Sequence, residues 1–65
     1  MYKIKEFREE QNMSQEELAR RSGVSRTIVS GLENNTITVT TTKTLFAIAN
    51  ALGKNVNDIF FADSV

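Results

Sequence analysis

Side chains with hydrogen-bond donors gather between Gln15 and Ser30: Gln15, Arg20, Arg21, Arg26, Thr27 and Ser30. Three arginines fall between positions 20 and 26 with no acid among them. Guanidinium, amide and hydroxyl groups bind oxygen and nitrogen acceptors, and arginine neither gives up its proton nor ligates a metal. The chain has no cysteine and no histidine. That removes a disulfide framework, a thiolate metal site, the commonest general base and the commonest metal ligand. The sequence also lacks a Gly-rich phosphate loop. These residues suit the recognition of acceptor groups rather than bond-making, so no enzyme, catalytic residue, metal or cofactor is implied.

The elements that must position them are short helices. Ser14 is followed three residues later by Glu17, the spacing of a capping box in which the hydroxyl accepts from the backbone and Glu17 reaches back. Gly23 marks a sharp turn of the kind that needs φ > 0. Ser25 is a good N-cap for a second helix, Arg26 to about Glu33 or Asn34. Leu18, Ala19, Val24, Val29 and Leu32 share an inner face. Arg26, Thr27, Ser30 and Gly31 face outward, with Ile28 between. Two short helices crossing at a tight turn, the second polar outside, make a helix-turn-helix pattern over about residues 14–33.

The rest of the chain supplies the frame. Tyr2 to Gln11 reads as a helix with Ile4 and Phe7 on one face, Asn12 as its left-handed stop and Met13 as a core plug. Asn34 or Asn35 takes φ > 0 after the motif. Thr36 to Thr42 alternates in a strand-like way, but a lone strand has no partner here, so an extended loop is expected; pairing across a dimer is the lesser alternative. Thr41 or Thr42 caps a fourth helix whose stripe is Leu45, Ile48, Ala49 and Leu52, closed by Gly53. Asn55 with Asp58 opens a short fifth helix through Phe61. Val56, Ile59 and Phe60 finish the core. Phe60 and Phe61 are consecutive and cannot easily both be buried, so one of them is a dimerisation candidate; the alternative is a phenylalanine folded back over the fourth helix. The last four residues should fray.

The ordered set Arg8, Ser14-Gln15-Glu16-Glu17-Leu18-Ala19, Gly23-Val24-Ser25, Val29-Ser30 and Leu32-Glu33-Asn34 resembles the lambda-repressor and Cro (xenobiotic-response-element) helix-turn-helix regulators. Ile48 to Gly53 and Asn57-Asp58-Ile59-Phe60 resemble that family's last two helices. The resemblance covers about residues 3 to 61 and is similar to short free-standing bacterial or phage members. It implies an all-α, five-helix domain that binds double-stranded DNA as a homodimer, a repressor acting by operator occupancy. It implies that Arg8 pairs with Glu33; local pairing of Arg8 with neighbouring glutamates is the alternative. It also implies that Gln15, at a helix N-terminus, meets a phosphate. At the start of the recognition helix, Arg26 is placed to bridge guanine O6 and N7, with a plain phosphate contact or no contact as the alternative, and Thr27 to touch a thymine methyl or a phosphate. Ser30 and Gly31 share that face. Gly31 either permits close approach to DNA or leaves a blunted surface; the first is preferred, and Gly31→Ala should then stabilise the fold and weaken binding. Thr36, Thr38 and Lys43 are the phosphate candidates of a loop without the family's usual lysine and proline.

Length and charge set bounds. Sixty-five residues make one domain, 1–65, of modest stability. The formal net charge of zero argues against strong non-specific DNA binding. It favours an alternative in which the same fold is a protein-interaction module or antitoxin-like adaptor. No apolar run approaches a membrane span and the N-terminus lacks a signal-peptide core, so a cytoplasmic protein is expected. No small-molecule ligand is evident.

Overall fold

The computed structural model describes residues 2–37 and 40–60. Among them are five helices and no strand: α1 (Ile4–Glu10), α2 (Gln15–Ser22), α3 (Arg26–Glu33), α4 (Thr42–Leu52) and α5 (Val56–Phe60). The protein is all-α, as its periodicity predicts.

Local chemistry sets each boundary. Ser14, Ser25 and Thr41 are in extended conformation, and their side-chain oxygens accept from the backbone N–H of Glu17, Ile28 and Thr44. Each satisfies a donor that the first helical turn would leave unpaired. The capping box at Ser14 is half made. The Ser14 hydroxyl accepts at 3.0 Å, but the Glu17 carboxylate is taken by Arg20 and Arg21 instead of reaching back. At the entry to α5 the opposite half is used, the Asn55 N–H donating to the Asp58 carboxylate at 3.2 Å. Gly23 stands at φ 73° after α2, and Asn12 and Asn35 take φ 56° and 62° at their turns. The Gly23 turn lets α3 start after only three intervening residues, Gly23, Val24 and Ser25.

The core is one cluster built from all five helices: Ile4, Met13, Leu18, Val29, Leu32, Ile48, Ala49, Leu52, Ile59 and Phe60. Helix α2 packs against both α3 and α4, α1 against α3, and α5 against α4. Long-range polar bonds close the frame. The Gln11 amide donates to the last α4 carbonyl, Leu52, at 2.8 Å. The Lys3 N–H donates to Ile59 at 2.9 Å. That bond ties the start of the chain to α5, and α1 begins at Ile4, later than its periodicity suggests.

Phe60 takes the core place expected of it rather than the dimerisation role that it shared with Phe61 as a candidate. It is 7% exposed and its ring meets Tyr2 edge-on at 4.7 Å. It is a core residue and offers no face to a second copy. Phe61, the other dimerisation candidate, lies outside the described residues. The large apolar side chain that is exposed among the described residues is Phe46, at 53%.

Candidate nucleic-acid interface

Helix α3 is held from behind by a buried charge cluster. The Arg8 guanidinium donates to Glu33 twice, Nε to Oε2 at 2.8 Å and Nη2 to Oε1 at 3.1 Å, and its Nη1 donates to the Met13 carbonyl at 2.7 Å. The Gln15 amide adds a bond to Glu33 Oε1 at 3.1 Å. The two charged side chains are 11% and 2% exposed. Glu33 sits at the C-terminus of α3, where the helix dipole disfavours a carboxylate. Arg8 supplies the compensating charge, and the hydrogen bond from Arg8 to Glu33 holds the guanidinium pKa above its ordinary value. The cluster ties α1, the start of α2 and the end of α3 into one unit.

In front of this unit lies a hollow of about 570 Å³, lined by Gln15, Arg26, Thr27, Ser30, Gly31, Thr36 and Ile37. The start of α2, the outer face of α3 and the segment after α3 meet there. No acid lines it. Arg26 and Thr27 are exposed and Ser30 is half-buried. The Ser30 hydroxyl accepts from the Asn34 amide at 3.3 Å. Among the described residues Arg26 has no acidic partner. Arg20 and Arg21 are different: both guanidiniums bind Glu17, and their hydrogen bonds hold its carboxyl below the ordinary range. The basic character of the motif is therefore concentrated at Arg26.

Six of the sequence-selected residues thus lie around one hollow: Gln15, Arg26, Thr27, Ser30, Gly31 and Thr36. Gln15 has one amide N–H committed to Glu33, and an amide carries two. Lys43 is not among them. It is exposed on the first turn of α4 and lines a separate hollow of about 210 Å³ beside the Ser22–Ser25 turn. Thr38 lies outside the described residues.

Gly31 is on the side of α3 that lines the hollow, but it is buried. A Cβ placed on it would lie 2.5 Å from Ile37 Cδ1 and 2.6 Å from Ile37 Cγ1. The close approach that glycine allows is made by the chain's own loop. The Gly31 carbonyl also accepts the N–H groups of Thr36 and Ile37, at 2.9 and 3.0 Å. This contact opposes the expected stabilisation by Gly31→Ala, because the added methyl must displace Ile37. Ile37 itself was not selected from the sequence. Its signal there was faint: a lone isoleucine six residues after a helical glycine, inside a threonine run.

A helix-turn-helix family model matches residues 4–59. A protein of Archaeoglobus fulgidus described as an uncharacterized HTH-type transcriptional regulator is 41% identical over 61 residues, which cover 94% of this chain and 84% of that protein.

Proposed function

Since this chain belongs to the helix-turn-helix family of the lambda-repressor/Cro type, we propose that it binds double-stranded DNA sequence-specifically and regulates transcription. The observation that carries this reading is the acid-free hollow in front of α3, with exposed Arg26 and Thr27 at the helix start. A recognition helix reads base edges through its N-terminal residues. Arg26 bridges a guanine, Thr27 and Ser30 touch base edges or phosphate, and Gln15 and Thr36 hold phosphates on either side. Lys43 makes a further phosphate contact from the flank. Regulation is by repression: a homodimer occupies two half-sites about one helical turn apart, roughly 34–36 Å, and excludes polymerase. The protein works in the cytoplasm; no helix of the described residues is long and apolar enough to cross a membrane.

A second reading is favoured by one observation. Exposed Phe46 lines a hollow of about 430 Å³ together with Leu45, Val56, Thr42, Asn55 and Asn57, none of them charged. This suits a protein contact. In the DNA reading it is where two copies meet; in the alternative the chain is an interaction module and DNA is not its ligand.

Salt dependence separates the two. Affinity for labelled duplex DNA is measured by fluorescence anisotropy across a salt series. A dimer that brings Arg26 and Lys43 twice should give a log–log slope of about −2 to −4. Binding that does not respond to salt would contradict the DNA reading.

A further inference from the structure

We propose that Ile37 is a specificity-determining residue, supplying from the loop the side chain that α3 lacks at Gly31 and reading the C5 methyl of a thymine. The proposal rests on the DNA-binding reading above and names one base contact within it.

The argument begins with where Gly31 stands. It lies one turn beyond Thr27 and next to Ser30, and it lines the same hollow as both. In a helix, residues four apart share a face, so position 31 belongs to the reading face that starts at Thr27. A glycine there leaves that face without a side chain. The place is not empty. Ile37 Cγ1 and Cδ1 lie 2.6 and 2.5 Å from where the missing Cβ would be, and Ile37 Cβ lies at 3.2 Å. The isoleucine therefore occupies the volume of a side chain at position 31. Its backbone is fixed there, because the N–H groups of Thr36 and Ile37 both donate to the Gly31 carbonyl. Ile37 is only partly buried and lines the hollow beside Arg26, Thr27 and Ser30.

An apolar side chain has no donor or acceptor to offer a base edge. The group it can recognise in the major groove is the thymine methyl. Arg26 beside it suits guanine. The hollow is thus matched to a half-site in which a guanine and a thymine lie close together. Glycine is required so that the loop residue can reach the face, which accounts for a helix-weakening residue in mid-helix.

The test uses an operator obtained by selection with the full chain. Each thymine is replaced singly by deoxyuridine, which removes the methyl and keeps every hydrogen bond. For the wild-type protein, one thymine per half-site should lose about fourfold in affinity, the value of one apolar carbon group at about 0.8 kcal/mol. Ile37→Ala should bind thymine and deoxyuridine operators equally at that position while still responding to the guanine contacted by Arg26. Ile37→Val, which removes only Cδ1, keeps the test available if the alanine variant does not fold, and should show a reduced preference. Adding Gly31→Ala to Ile37→Ala returns a methyl to the vacated place and should restore part of the preference.

The proposal is overturned if Ile37→Ala and the wild type discriminate deoxyuridine to the same degree. It is also overturned if Ile37→Ala weakens all operators equally, since a merely structural isoleucine would do that. A wild-type protein that selects no duplex at all would remove the DNA reading itself, and this inference with it.

Discussion

Glu33 accepts three hydrogen bonds from two side chains on two other helices, at 2.8, 3.1 and 3.1 Å. Arg8→Ala would leave that carboxylate buried without its cation, a loss of roughly 3–5 kcal/mol. A chain of this size has only about 3–10 kcal/mol in total at the usual per-residue stability. The variant should therefore be partly or wholly unfolded at room temperature in urea titration or a thermal melt. Replacing both partners by apolar residues should recover much of the loss, because no charge is then stranded. Arg26 is the opposite case. It is exposed and has no acidic partner among the described residues, so Arg26→Ala should leave the melting temperature within a degree or two. The same change should weaken DNA binding by roughly tenfold or more, in line with about 1–3 kcal/mol for a bidentate base contact. An equal fall in thermal stability would show Arg26 to be structural. The residue scale is also where the sequence was read least well. Arg26 and Thr27 were legible because polar residues on an apolar-backed helix must face out. The burial of Gly31 was not legible, because what covers it comes from a loop and no periodicity encodes that contact.

Helix boundaries were the most legible feature, because caps are local chemistry. Ser14, Ser25, Thr41, Gly23 and Gly53 act within three or four residues of where they stand. The partner of Glu17 was misread for the same reason: the carboxylate can serve the backbone of its own cap or the arginines of the next turn, and both are near in sequence. Its bonds to Arg20, then to Arg21, lower its pKa in the folded chain. A lowered folded value means that the contribution is fully present above the unfolded pKa. It is then lost as pH falls through the folded one. Acid titration of stability should show this loss below the ordinary glutamate range, and Glu17→Gln should remove that part of the pH dependence while leaving the Ser14 cap in place. A Glu17→Gln profile that matches the wild type would mean that the exposed pairs contribute nothing measurable, as many surface pairs do. The loop after α3 was the least legible element. Its threonines alternate like a strand, while the structure fastens its first residues to the end of α3 through the Gly31 carbonyl.

At the scale of the molecule, the five helices of the described residues close around one apolar cluster, and α3 is tied to α1 by the Arg8–Glu33 pair behind it. The all-α fold was legible from the helical stripes and their caps. The exposure of Phe46 was legible in principle, since Thr42, Lys43 and Asn50 share its side of α4 and are exposed with it, but the apolar stripe of the helix drew attention to Leu45, Ile48, Ala49 and Leu52 instead. Self-association should depend on Phe46. Phe46→Ser is expected to shift the chain toward monomer in sedimentation equilibrium, with little change in melting temperature, since Phe46 is 53% exposed. A variant that self-associates as the wild type does would place the dimer contact elsewhere. The central claim is that the hollow in front of α3 reads DNA. Its most direct test is selection from randomised duplexes at low salt, with the wild type and Arg26→Ala in parallel. The account predicts a palindromic motif with half-sites about one helical turn apart for the wild type, and loss of a guanine preference for Arg26→Ala. A wild-type pool with no enriched sequence would contradict it.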